Sequence, residues 1–107
     1  MVDINEKAME ILMLAGDARL LMDSAFKSAK NNDEKNYKKQ MEDAKKKLVE
    51  GHRIQTKVIQ ETITIVDFIT PLLFIHAQDT LMVVNSEHIT LQRILELHKF
   101  EKKEENK

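Results

Sequence analysis

His76 and Asp79 sit three residues apart in the stretch Phe74-Ile75-His76-Ala77-Gln78-Asp79-Thr80-Leu81-Met82. Residues at that spacing are neighbours on the surface of a helix. A neutral imidazole is a competent nucleophile near pH 7, and its tautomer can be fixed by an acceptor beside it. A carboxylate at the same place is a ligand for a hard cation. Nucleophilic chemistry at His76 and metal binding at Asp79 are therefore the chemistries this turn admits. The plainer readings are an inert surface histidine, and an aspartate that pairs with an arginine or stays in water.

Other catalytic patterns are missing from the sequence. There is no Gly-rich phosphate loop, no nucleophile elbow and no HExxH pair. A chain of this kind has no recognisable means of splitting a nucleotide, so any phosphate it handles must come from an activated donor. The remaining histidines have simpler explanations. His88 and His98 fall in the stripe expected to face the core, and His88 reads as a hydrogen-bonded core histidine. His52 follows Gly51 without a chemical partner in sequence.

The elements that must position His76 and Asp79 are helical. Charged residues make up 33% of the 107-residue chain and aromatics 5%, with two glycines and one proline. That composition favours an all-α fold in one domain. Apolar residues at Ile4, Ala8, Ile11, Ala15, Ala18, Met22, Ala25 and Ala29 predict a first helix over about 4–30, with Asp3 and Glu6 as a capping box. Asn31 and Asn32 offer a turn, and Asp33 a cap. A second helix over about 33–60 follows from Tyr37, Met41, Ala44, Leu48, Gly51, Gln55 and Val58, with a lysine-rich solvated face opposite. The β-branched run between Glu61 and Thr70 reads as a connector. Thr70 as cap and Pro71 as first residue then open a third helix over about 71–99. Residues 101–107, all charged or amide, are expected to fray or be disordered. Residues 1–100 would form one antiparallel three-helix bundle.

The third helix carries two apolar stripes. Phe74, Ala77, Leu81, Val84, His88, Leu91 and Leu95 face the bundle, and Leu72, Ile75, Met82 and Ile89 lie nearly opposite, interleaved with Asp79, Ser86 and Arg93. A monomeric bundle needs only the first. The second predicts self-association, since it would otherwise leave Leu, Ile and Met in water. Asp79 would then lie inside a subunit interface, where converging carboxylates need a counter-cation. His76 would lie at the rim of that interface. Gly16, in mid-helix at a cost of about 1 kcal/mol relative to alanine, predicts a close approach by a neighbouring helix.

Bulk properties exclude several classes. The formal charge of −1, from 17 basic and 18 acidic residues, gives no field for nucleic acid. Absence of cysteine removes disulfides and zinc-thiolate sites. The start of the chain does not read as a signal peptide, and the apolar run Thr62–Ile75 is interrupted by Asp67 and Pro71, so a soluble, cytosolic protein is expected.

Three blocks of this sequence resemble the enzyme IIA component of the sugar phosphotransferase system, lactose/cellobiose class. They are Ala15-Gly16-Asp17-Ala18-Arg19, Gly51-His52 with Gln55-Thr56, and His76-Ala77-Gln78-Asp79 with Leu81-Met82; the closing Ile94-Leu95-Glu96-Leu97-His98 also resembles the family. The resemblance implies a cytoplasmic phosphocarrier. His76 would accept a phosphoryl group from the histidine-containing phosphocarrier protein and pass it to a cysteine of the IIB component, with the membrane permease involved only indirectly. It implies a homotrimer of three-helix bundles with three copies of Asp79 around one metal ion, magnesium by the preference of hard cations for oxygen. Thr80 stands where many relatives carry a second histidine. It lies one turn beyond His76 as a hydrogen-bond donor for phosphate, whereas Gln78 points away. A second reading is a regulatory helical module of the same family that signals through phosphorylation without transporting sugar.

Overall fold

The computed structural model describes residues 3–105 and is helical throughout its regular parts: α1 (Ile4–Lys30), α2 (Glu34–Thr62) and α3 (Leu72–Glu105). Asp3 caps α1 by accepting a hydrogen bond from the Glu6 amide at 3.2 Å, the forward half of the expected capping box. Asn32 turns the chain with φ 56°, a left-handed conformation that asparagine tolerates, and Asp33 caps α2 through the Asn36 amide at 3.3 Å. At the far end the Thr62 hydroxyl donates to the Val58 carbonyl at 2.8 Å. The connector spans 63–71 rather than beginning at Glu61, and turns at Asp67 with φ 61°.

Two boundaries differ from expectation. Pro71 precedes α3 instead of opening it: its carbonyl accepts from the Ile75 amide at 3.2 Å, which makes Pro71 the capping residue. At the other end α3 runs to Glu105, past the expected stop near Lys99. Lysine and glutamate are good helix formers, and Lys102 pairs with Glu105 at 3.5 Å one turn on. A charged segment does not by itself end a helix.

Short reversals between long helices give a rod of 63 × 17 × 17 Å. The start of α1, the end of α2 and the start of α3 meet at one end, around Ile4, Val58, Phe74 and Gln78. Tyr37 and Met41 of α2 meet Leu95 and Lys99 of α3 toward the other, so the helices run up, down and up. The core is alanine-rich on α1 (Ala8, Ala15, Ala18, Ala25 and Ala29 are buried), which lets α1 lie close to both partners. Ile11, Leu48, Leu81 and Val84 fill its centre.

His88 is buried as expected, with Nε2 3.0 Å from the Met41 carbonyl, so the ring ties α3 to α2 as a donor. Two ion-pair sets hold the helix register. Arg19 grips Glu87 with both arms, at 2.7 and 3.1 Å, across the α1–α3 seam. Lys99 reaches Glu34 at 3.0 Å, and Lys38 shares the same carboxylate. Hydrogen bonds from Lys38 and then Lys99 hold the Glu34 carboxyl below its ordinary range. Its stabilising effect is therefore present above the ordinary carboxylate range and disappears as pH falls through the lowered value.

The close approach expected at Gly16 is absent within the protomer, whereas Gly51 lies on the buried face of α2 as its stripe predicts. A Cβ built on Gly16 meets nothing within 4 Å, so no helix of its own protomer approaches there. A Cβ on Gly51 would stand 2.9 Å from Cδ1 of Leu81, so Gly51 is the hole into which α3 seats a core leucine. The buried face of α2 continues from Gly51 through Ile54 to Val58; Gln55, expected on that face, is half-buried beside it.

Candidate functional site

His76 lies in the second turn of α3 and is exposed, between exposed Ile75 and buried Ala77. Asp79, one turn on, is exposed as well. Among the described residues neither side chain has a hydrogen-bonded or ionic partner in its own protomer. His76 is thus free to present a ring nitrogen to another molecule. Thr80 is half-buried one turn beyond it, and Gln78 points instead into the crevice lined by Val58, Thr62 and Phe74. Gln78 therefore points away from His76, as its position on a regular helix predicts.

The second stripe of α3 is exposed along its length: Leu72 80%, Ile75 42%, Met82 61% and Ile89 43%. Isolated apolar residues on a surface are ordinary, but a helical row of them is an unfilled face. Asp79 lies within that row. Among the described residues no group of three His, Asp or Glu side chains in one protomer is placed to hold a metal ion. Asp79 therefore supplies at most one carboxylate, and a cation there would need ligands from further copies.

His76 also has a defined side. It lies three helical turns before Glu87 and so on the same face of α3, the face that Arg19 binds from α1. His52 is exposed on α2 beside Arg53, Thr56 and Gln60 and joins neither His76 nor Asp79. His88 serves the core, and His98 is half-buried near the other end of the rod. A groove of about 540 Å³ lined by Tyr37, Met41, His88, Gln92 and Leu95 lies toward that end too, away from His76. Sequence spacing could not reveal the Arg19–Glu87 contact that defines this side of α3, because its partners are 68 residues apart. Among the described residues no helix is long and apolar enough to cross a membrane.

Comparison with known proteins follows the same line. Residues 6–99 match the family model "PTS system, Lactose/Cellobiose specific IIA subunit". The chain is 31% identical over 96 residues to the N,N'-diacetylchitobiose-specific EIIA component of the phosphotransferase system of Escherichia coli K12, covering 90% of this chain and 83% of that one. It is 30% identical over 89 residues to the lichenan-specific phosphotransferase enzyme IIA component of Bacillus subtilis, covering 83% and 81%. Among solved structures, the chitobiose IIA protein of Escherichia coli in complex with HPr superposes with a TM-score of 0.84 at 29% identity, covering 95% of this chain and 99% of that one. The cellobiose-specific enzyme IIA of Bacillus anthracis gives 0.84 at 25% identity, covering 95% and 94%. Three antiparallel helices, an exposed unpartnered histidine at the start of the third, and matches over nearly the whole chain lead to one conclusion: this protein belongs to the lactose/cellobiose-specific IIA family of the phosphotransferase system, and is a phosphotransferase component.

Proposed function

We propose that this chain is the cytoplasmic phosphoryl carrier of a system that imports a lactose-, cellobiose- or chitobiose-type sugar, with His76 as the group that carries the phosphate. The observation that carries this reading is the exposed, unpartnered imidazole of His76 on the rim of an apolar face. The lone pair of the ring nitrogen farther from the backbone attacks the phosphorus of a phosphohistidine on the donor, the histidine-containing phosphocarrier protein. The new N–P bond forms as the donor's N–P bond breaks, and the donor imidazole keeps that electron pair. In the second step the thiolate of a IIB cysteine attacks the same phosphorus, an S–P bond forms, and the electron pair returns to the ring of His76.

A carrier must hold the group without offering it to water. Ile75 and Leu72 beside His76 supply an apolar rim for docking, and the Thr80 hydroxyl, one turn on, is the donor for a phosphoryl oxygen. Thr80→Val then slows transfer by roughly three- to tenfold, the worth of one ordinary hydrogen bond. Stopped-flow transfer from the phosphorylated donor measures it; an unchanged rate removes Thr80 from the site.

Three copies of the chain bury the Leu72–Ile89 stripe against one another and bring three Asp79 carboxylates together. A divalent cation, magnesium by its affinity for oxygen, would offset their repulsion. Asp79→Leu replaces converging charges with apolar surface and keeps the trimer or strengthens it. Sedimentation of that variant as a monomer would make the ion essential to assembly.

Incubation with phosphoenolpyruvate, enzyme I and the donor protein is expected to add one acid-labile phosphate per chain. No incorporation under those conditions overturns the proposal.

A further inference from the structure

The groove that α2 and α3 leave open, toward the end of the rod away from His76, holds two polar groups that the protomer does not use. Its volume is about 540 Å³, and buried Tyr37, Met41, His88 and Leu95 form its floor. The Met41 carbonyl only accepts, so His88 Nε2 carries the hydrogen of their contact. The neutral ring then keeps a lone pair on Nδ1. The Tyr37 hydroxyl is the second group. Burial, and after it the nearby Glu34 carboxylate, hold its pKa above the ordinary value, so the phenol stays a donor.

Neither atom has a hydrogen-bond partner among the described residues, although Tyr37 is only 5% exposed and His88 7%. Polar groups that far inside a protein are ordinarily paired. Among the described residues, Gln55 Oε1 is the one side-chain nitrogen or oxygen that is both unpartnered and sealed from solvent. The Tyr37 hydroxyl and His88 Nδ1 therefore still meet open space. The open space beside both is this groove.

Register and charge define what fits there. The Lys99–Glu34 pair and the seating of Leu81 on Gly51 set Tyr37 level with Leu95. Leu95 is seven residues beyond His88, so the two polar residues are roughly 10 Å apart along the rod. Apolar Met41 and Leu95 lie between them. On the rim, Lys38 and Lys99 share Glu34, and Lys45 stands with Glu42 and Glu96. Each lysine is matched by a carboxylate, so the rim selects for neither sign of charge.

We propose that this groove binds an uncharged, elongated molecule with an apolar middle and a hydroxyl at each end. The inner hydroxyl donates to His88 Nδ1, the middle lies along Met41 and Leu95, and the outer hydroxyl accepts from Tyr37. A hydroxyl both donates and accepts, so one kind of group serves at either end. This site is separate from phosphate acceptance, because about 18 Å of α3 divides His88 from His76.

Tyr37 is the only tyrosine of a chain without tryptophan, so intrinsic fluorescence reports on the groove directly. The probe is trans-cyclohexanedimethanol, which does not fluoresce and carries its hydroxymethyl groups on opposite corners of an apolar ring. A saturable change with a Kd of about 1–10 mM is expected for a molecule of that size. Cyclohexylmethanol, with one hydroxyl, should bind roughly three- to tenfold more weakly. Tyr37→Phe should lose the same factor by NMR titration of the His88 ring protons, with its helical circular dichroism kept. Gln92→Trp, at an exposed position on the mouth of the groove, should abolish binding without touching the core. No saturable change in the wild type overturns the proposal and leaves water as the partner of both groups. Equal affinity for the two alcohols, or for wild type and Tyr37→Phe, overturns the two-hydroxyl match. Parental affinity in Gln92→Trp overturns the location.

Discussion

His76→Gln is expected to lose phosphate acceptance entirely while keeping the helical content and mass of the parent. Glutamine preserves polarity and approximate size but has no ring nitrogen with a lone pair to attack phosphorus. Structural damage is a poor explanation for such a loss, because His76 is exposed and has no partner in its protomer. Substitutions at sites of that kind change stability by about 0.5 kcal/mol or less. Radiolabel or phosphate-release assays under the incubation described above measure it. A variant that still takes up one phosphate per chain removes His76 from the mechanism.

Leu81→Ala carries the largest expected effect on folding. Leu81 is fully buried, and its Cδ1 lies 2.9 Å from where a Cβ on Gly51 would be, so its side chain occupies the space that the glycine leaves open. Removing it forfeits the transfer free energy and leaves a cavity, a loss of about 2–5 kcal/mol. For a small domain whose total is on the order of 5–15 kcal/mol, that is a large fraction. Urea unfolding followed by circular dichroism reports it as a lower midpoint with little change in slope. A loss below about 1 kcal/mol would mean that α3 settles onto Gly51 by another route.

Much of this was legible in the chain. The three- and four-residue spacing of Ala8, Ile11, Ala15, Ala18 and Met22 marks the buried face of α1, and the same residues are the buried ones. The two-stripe reading of α3 held because 3.6-residue periodicity separates Leu81 and Val84 from Met82 and Ile89 without any tertiary knowledge. The same periodicity places His88 in the core, where it is buried. Gly51 was less accessible: nothing local distinguishes it from Gly16, and only the seating of Leu81 from 30 residues away decides which glycine is a packing hole. The choice between Ile54 and Gln55 depended on whether the face advances by three or by four after Gly51, a step that both helical spacings allow. The end of α3 lies beyond the expected stop because lysine and glutamate one turn apart support a helix without a core, and of the tail expected to be disordered only 106–107 lie outside the described residues. For the site, the spacing shows His76 and Asp79 one turn apart on α3, while the side of α3 on which His76 lies comes only from the Arg19–Glu87 contact.

Location of the phosphate tests the central claim most directly. After phosphorylation by the donor at alkaline pH, where phosphohistidine survives, the protein is cleaved and its peptides are sequenced by mass spectrometry. One phosphate on the imidazole of His76, with His52, His88 and His98 unmodified, is the predicted result. Phosphate on His52 or His98 with an unmodified His76 would contradict it.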